Sequence, residues 1–119
     1  MSFGKIRPRP KRIPGAMNPT EQKYADILEM RKRAGEILEY YYEGIKFKLA
    51  DKTFYTPDFV VVTPECVELH EVKGHWEDDA RVKVKVAAER FWQFAFIAVI
   101  FKKGAPTKGR PDEWEKEAF

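Results

Sequence analysis

The stretch 55-YTPDFVVVTPECVELHEVKG-74 decides the fold, because it contains two apolar runs separated by a turn. Pro64 ends the first run and strand-forming residues resume at Val67, a pattern typical of a β-hairpin. A four-residue loop over residues 63–66 places Val62 opposite Val67. The same register places Asp58 opposite Glu71.

One face of this hairpin is predicted to change from apolar to charged along its length. Side chains alternate between the two faces of a strand, so every second residue shares a face. The apolar members of this face are Val60, Val62, Val67 and Leu69. Asp58, Glu71 and Lys73 follow beside one another at one end of the same face.

Two carboxylates directly opposed on neighbouring strands destabilise a sheet unless another group offsets their repulsion. Mg²⁺ takes oxygen ligands and is commonly held by one or two carboxylates with water and phosphate, so Asp58 and Glu71 predict a metal site. Lys73 would then lie beside a metal-bound water or a phosphate, where its charge stabilises charge developing on phosphorus. The pattern is also typical of a small ion-pair cluster at the solvated end of a sheet.

The preceding segment, 18-NPTEQKYADILEMRKRAG-35, has the signals of a helix of about four turns. Asn18 is the predicted N-cap, Pro19 suits the first helical position, and Glu21 completes a capping box. Gly35 follows the last turn. Glu21 also lies at the head of the apolar stripe that the helix is predicted to bury.

The remaining segments predict an α/β (α+β) fold with a mixed sheet flanked by helices. The pattern predicts a hairpin around Asp51, with residues 45–49 and 53–62 as its two strands. The stretch 76–91 predicts a helix with acids at its start, and 94-FAFIAVIF-101 a buried strand parallel to its neighbour. The final residues, 111-PDEWEKEAF-119, predict a short helix.

Length and composition predict one domain with a basic tail. The 119 residues fit a single domain, and the net charge of +3 is unevenly distributed. Residues 1–17 contain no acid, and we expect them to form a flexible tail, with residues 18–119 as the domain. The basic residues of the tail, which predict contact with a polyanion, are Lys5, Arg7, Arg9, Lys11 and Arg12. An incidental extension remains the alternative.

Several classes of protein are disfavoured by composition. The longest uninterrupted apolar run, residues 94–101, is far shorter than a membrane span, so we expect no membrane association and a cytoplasmic protein. Cys66 is the single cysteine and there are two histidines, which is too few for a structural zinc site. Any metal is therefore expected to bind mainly through oxygen.

The Pro57-Asp58 pair, twelve further residues and then Glu71-Val72-Lys73 resemble the PD-(D/E)xK nuclease superfamily. The predicted order of elements is similar to the αβββαβ restriction-endonuclease-like core of that superfamily. The resemblance covers most of residues 18–101. The sequence EVKG followed by a basic helix looks like small phage-encoded endonuclease and junction-resolvase-like domains.

The resemblance implies a role for each motif residue. Asp58 and Glu71 would be the acidic metal ligands, Val72 would offer its backbone carbonyl, and Lys73 would be the catalytic lysine. Glu21 would match the first-helix glutamate of junction-resolving enzymes, although its capping role explains it as well. Mg²⁺ is the expected cofactor, with Mn²⁺ as a substitute.

Further residues are predicted to contact DNA. Arg81, Lys83 and Lys85 lie on the helix after the motif, where basic side chains would contact backbone phosphates, and His75 lies in the loop before it. A solvated helix face is the alternative explanation for these cations.

These features together predict a Mg²⁺-dependent endodeoxyribonuclease acting on branched or duplex DNA. The resemblance favours Holliday junctions as substrate, and symmetric cleavage of a junction needs two active sites, which predicts a homodimer. The alternative is a non-catalytic nucleic-acid-binding module that retains the same core.

Overall fold

The computed structural model describes residues 15–119. Within this range the chain forms two α-helices, seven β-strands and one 3₁₀ turn. In chain order they are α1 (Pro19–Arg33), β1 (Glu39–Tyr42), β2 (Phe47–Ala50), β3 (Thr53–Tyr55), β4 (Phe59–Val62), β5 (Val67–Lys73), α2 (Asp78–Arg90), β6 (Ala95–Lys102), the turn Pro106–Lys108 and β7 (Glu113–Ala118).

The centre of the fold is a five-stranded mixed sheet in the order β1-β4-β5-β6-β7, while β2 and β3 form a separate two-stranded sheet. Strands β5 and β6 are parallel and α2 connects them, as the sequence predicted; the other neighbours are antiparallel. The predicted α/β class with a mixed sheet is therefore confirmed. Neither described helix is long and apolar enough to cross a membrane.

The two faces of the sheet build separate apolar clusters. Helix α1 packs Tyr24 and Leu28 against Phe59 and Val99 on one face. On the other face, α2 and the β2–β3 hairpin pack against the sheet. Their cluster includes Phe47, Leu49, Tyr55, Val60, Leu69, Val84, Ala87 and Phe96. The helices therefore flank the sheet because each has one apolar stripe to bury.

Helix α1 begins and ends at the predicted residues. The Asn18 side chain accepts a hydrogen bond from the Glu21 amide, and the Glu21 carboxylate accepts one from the Asn18 amide, which completes the capping box. Gly35 has a φ of 81°, and its amide donates to the Lys32 carbonyl. Since only glycine adopts this conformation without strain, Gly35 ends the helix.

The central hairpin has the predicted register. Val62 pairs with Val67 and Val60 with Leu69. Val60 and Leu69 therefore face the α2 side, whereas Phe59 and Val61 face α1. This register extends to the residues just beyond the ladder and brings Asp58 beside β5, where it accepts a hydrogen bond from Val72.

The single strand predicted over residues 53–62 is wrong, because the chain divides there into β3 and β4. Pro57 is fully buried between the two strands. A proline has no amide to donate, so it cannot continue a ladder within a sheet. Strand β3 instead pairs with β2 in the separate hairpin, and β4 enters the central sheet.

The short helix predicted for residues 111–119 is also wrong. Residues Glu113–Ala118 form β7, an edge strand antiparallel to β6. Trp114 packs its ring against those of Tyr24 and Phe101, with centroids 5.3 and 4.6 Å apart. Pairing with the open edge of β6 satisfies the backbone hydrogen-bonding groups of both strands. This gain outweighs the helical propensity of the glutamate and lysine residues in the segment.

Candidate active site

Asp58, Glu71 and Lys73 meet at one end of the central hairpin, as the sequence predicted from strand alternation. Together with side chains from β3 and α2, they line a cavity of about 310 Å³. Asp58 directly precedes β4, whereas Glu71 and Lys73 lie on β5 with Val72 between them. The alternation that builds the apolar face therefore also directs these charged groups into the cavity.

Asp58 is a buried carboxylate, 7% exposed. Its Oδ2 accepts a hydrogen bond of 2.8 Å from the Val72 amide. Burial and then the charge of Glu71 raise the pKa of Asp58 to about 8, while the hydrogen bond from the Val72 amide and the charge of Lys73 act in the opposite direction. Among residues 15–119, no basic side chain forms a salt bridge with Asp58.

Glu71 is equally buried but has two partners. The Tyr55 hydroxyl donates a 2.8 Å hydrogen bond to Glu71 Oε1, and Lys73 Nζ lies 3.2 Å from Oε2. Burial raises the pKa of Glu71 despite these contacts. Burial lowers the pKa of Lys73, but Glu71, Asp58 and Glu21 outweigh that effect and hold it above its ordinary value.

Burial distinguishes Asp58 and Glu71 from a solvated ion-pair cluster, although Lys73 does pair with Glu71. Surface ion pairs persist with little energetic consequence because water solvates both charges. Asp58 and Glu71 are largely removed from water and share one nearby lysine, so a charge on both carboxylates is costly here. Carboxyl groups with raised pKa values in a cavity mark a candidate functional site.

Glu21 lies at the start of α1 and is 4% exposed. Its Oε1 accepts hydrogen bonds from the Asn18 amide and the Tyr42 hydroxyl, each 2.9 Å long. The capping role is therefore confirmed. Glu21 is also close enough to raise the pKa of Asp58, although less than Glu71 does. Its predicted role as a metal ligand stays a prediction.

The donor set of the site suits a hard cation. Within residues 15–119, no three His, Cys, Asp or Glu side chains come together closely enough to hold a metal ion by themselves. Asp58 and Glu71 form a pair of buried oxygen donors with raised pKa values. Two carboxylates are enough for Mg²⁺, which keeps several waters, and a cation would offset the repulsion between them.

The predicted DNA contacts have different surroundings. Lys83 lines the cavity and donates a 3.3 Å hydrogen bond to the Phe54 carbonyl. Lys85 is exposed. His75 is exposed and lines an adjoining cavity of about 310 Å³, which shares Lys73 and Ala80 with the first. Lys83 is therefore the predicted helix cation that the structure brings nearest to the site.

Arg81 is engaged within the chain. Its guanidinium forms two hydrogen bonds of 2.7 and 3.1 Å with Glu117, and its Cζ lies 5.8 Å from the ring centroids of Trp76 and Phe119. A phosphate would have to compete with this carboxylate. The five predicted basic residues of the tail, Lys5, Arg7, Arg9, Lys11 and Arg12, lie outside the described residues.

Besides the predicted residues, the cavity is lined by Glu43, Phe54, Tyr55, Thr56 and Ala80, none of which the sequence analysis named as a site residue. Tyr55 bonds Glu71 from β3, and Phe54, beside it, lines the cavity while staying 41% exposed. The signal was their position just before Pro57 and Asp58 in an alternating strand. Treating residues 53–62 as one strand concealed it.

No protein-family model, curated protein or solved structure matches this chain. The function therefore has to be inferred from the geometry of the chain itself.

Proposed function

We propose that the protein is a Mg²⁺-dependent endodeoxyribonuclease with a restriction-endonuclease-like core. The observation that carries the proposal is the pair of buried carboxylates, Asp58 and Glu71, beside Lys73 in one cavity. The spacing of these residues resembles the PD-(D/E)xK motif, and a buried carboxylate pair is a costly arrangement that a catalytic cation would justify.

Asp58 and Glu71 would hold the cation, with the Val72 carbonyl and Glu21 as further donors. When bound, Mg²⁺ supplies positive charge for the phosphate and lowers the pKa of an attacking water. Tyr55 fixes the orientation of Glu71 through its hydrogen bond. The backbone amide of Val72 does the same for Asp58.

Lys73 would act on the substrate from the same strand. Its ammonium group is half-exposed at the cavity and lies 3.2 Å from Glu71. From this position it can hold the attacking water by a hydrogen bond and stabilise the negative charge that develops on phosphorus. Lys83 at the cavity wall would contact the phosphate backbone.

The preferred substrate and the assembly follow from the resemblance. Branched DNA such as a Holliday junction is the substrate that the phage-type domains imply. Cleavage of both strands of a junction would require a homodimer with two sites.

The test is cleavage of labelled four-way junction, linear duplex and single-stranded DNA with Mg²⁺ or with EDTA. Lys73→Ala is the catalytic variant, and Lys103→Ala, an exposed lysine remote from the motif in sequence, is the matched control. We expect cutting that needs Mg²⁺, disappears in Lys73→Ala and persists in the control. Binding without cleavage would instead favour the non-catalytic binding module.

A further inference from the structure

The β2–β3 hairpin has a basic outer face that borders the candidate active site. Phe47, Leu49 and Tyr55 point inward into the apolar cluster. The alternating residues Lys48 and Phe54 are exposed and lie opposite each other in the register. Because side chains alternate along a strand, the inner face of this pair belongs to the core, and its outer face presents lysine beside an exposed aromatic ring.

Phe54 occupies the point where this face meets the site. The residue is 41% exposed and lines the cavity that contains Asp58 and Glu71. The Lys46 ammonium lies over the ring, 4.4 Å from its centroid. The Lys83 ammonium donates a hydrogen bond to the Phe54 backbone carbonyl. An exposed aromatic residue with one cation over its ring and another at its backbone therefore lies at the edge of the cavity.

A second cavity continues the basic face beyond Phe54. It has a volume of about 440 Å³ and lies between the hairpin and the end of α2. Its lining includes Lys46, Lys48 and Arg90 against one acid, Asp51. Cations thus outnumber acids in this cavity, which makes it attractive to an anionic chain.

Helix α2 joins the two cavities along one side. Lys83 and Arg90 are seven residues apart and therefore lie on the same stripe of the helix. At a rise of 1.5 Å per residue they are separated by about 10 Å, enough for a short run of nucleotides. Lys83 borders the first cavity and Arg90 the second.

We infer that this surface, formed by Lys46, Lys48, Phe54, Lys83 and Arg90, binds a single-stranded segment of nucleic acid that leads into the Asp58–Glu71 cavity. Phe54 stacks on an unpaired base, and the cations contact its flanking phosphates. Aromatic rings flanked by cations bind single strands in this way, because every base has a face to stack. Cleavage of the bound strand rests on the proposed function. The substrate would then be a nucleic acid with unpaired nucleotides beside the cleaved bond.

The test is a fluorescence anisotropy titration of the full chain in EDTA, where no metal-dependent cleavage occurs. The probes are a labelled single strand, a blunt duplex and a duplex with a single-stranded flap, as DNA and as RNA. We expect the single strand and the flap to bind more tightly than the blunt duplex. The comparison of DNA with RNA identifies which nucleic acid the surface prefers.

The variants separate stacking from charge. Phe54→Ala should weaken single-strand binding by about 5-fold to 100-fold, whereas Phe54→Trp retains a stacking ring and should bind normally. Lys46→Ala combined with Lys48→Ala should make the dependence of log affinity on log salt shallower by about 1.4. Leu38→Ala, which removes an apolar side chain 58% exposed in a different segment, is the control for Phe54. Lys103→Ala combined with Lys108→Ala is the control for the lysines.

The inference is overturned if Phe54→Ala binds single strands as tightly as the unmodified protein, if the blunt duplex binds best, or if no probe binds at low salt. A parallel cleavage assay distinguishes it from the nuclease proposal. If the probes bind as expected but no DNA is cleaved, the proposed function is wrong and the binding surface stands. If DNA is cleaved and Phe54→Ala binds single strands as tightly as the unmodified protein, the nuclease proposal stands and the binding surface is wrong.

Discussion

Asp58→Asn should stabilise the metal-free protein at alkaline pH, although it removes a predicted catalytic group. The aspartate is buried and forms no salt bridge among residues 15–119, while Glu71 adds a second negative charge nearby and outweighs the effect of Lys73. Asparagine has nearly the same shape and can still accept the hydrogen bond from the Val72 amide. The substitution therefore removes the charge and preserves the contact.

The sign and size of the effect follow from the pKa of Asp58. Burial raises it from 3.8 to about 8, so the folded protein holds a proton that the unfolded chain releases near pH 4. Asp58 therefore lowers the stability of the metal-free protein progressively as pH rises from about 4 to 8, and the full cost is present above pH 8. At about 1.4 kcal/mol per pH unit, this window sets an upper limit on the order of 5 kcal/mol.

The assay is urea unfolding in EDTA at pH 5 and pH 8, with the midpoint converted to free energy. The free energy of unfolding at pH 8 relative to pH 5 should be higher in Asp58→Asn than in the unmodified protein. Glu71, whose pKa is raised, and buried His70, whose pKa is lowered, contribute with opposite signs in both proteins, so the comparison isolates Asp58. Asp51→Asn, which changes an exposed aspartate in the turn between β2 and β3, is the matched control and should leave the free energy at pH 8 relative to pH 5 as it is in the unmodified protein.

Adding Mg²⁺ extends the same experiment to the proposed metal site. A cation that binds the folded state alone raises its stability, so Mg²⁺ should recover much of what the unmodified protein loses at pH 8. Asp58→Asn should respond far less. The reasoning is refuted if the variant is less stable than the unmodified protein at pH 8 in EDTA, or if both lose the same free energy between pH 5 and pH 8.

Three further variants test the surroundings of the site. Tyr55→Phe removes a hydrogen bond to the Glu71 carboxylate, so cleavage should slow by about 10-fold to 100-fold without loss of the circular dichroism spectrum. Asn18→Ala removes the cap of α1 and should cost about 1 kcal/mol in urea unfolding. Glu117→Ala removes the carboxylate partner of Arg81 and should strengthen DNA binding by at most about fivefold; unchanged affinity would argue against a phosphate contact by Arg81.

Local signals made most of the fold predictable. The cap of α1, its terminating Gly35 and the register of the central hairpin depend on residues within a few positions of one another, and all three are present. The parallel β6 was recognisable because a strand buried between neighbours has a continuous apolar run. Because side chains alternate strictly between the two faces of a strand, the predicted hairpin register also placed Asp58 and Glu71 together.

The errors arose where distant contacts outweigh local pattern. Residues 111–119 are rich in glutamate and lysine, which suit a helix, but the open edge of β6 and the rings around Trp114 favour β7. Nothing near these residues in the sequence indicates that edge. Likewise, the pairing of Arg81 with Glu117 joins residues 36 positions apart, so no local spacing predicts it.

The division at Pro57 connects the binding surface to the candidate active site. Strand β3 pairs with β2 outside the central sheet, and side chains alternate along it, so Phe54 points outward to the basic face and Tyr55 inward to Glu71. A nucleic-acid strand stacked on Phe54 would therefore lie beside Tyr55, whose hydrogen bond orients Glu71, a proposed metal ligand. If the two act together, Phe54→Ala should raise KM with little change in kcat, whereas Tyr55→Phe should lower kcat. Equal effects on both constants in both variants would contradict that division of roles.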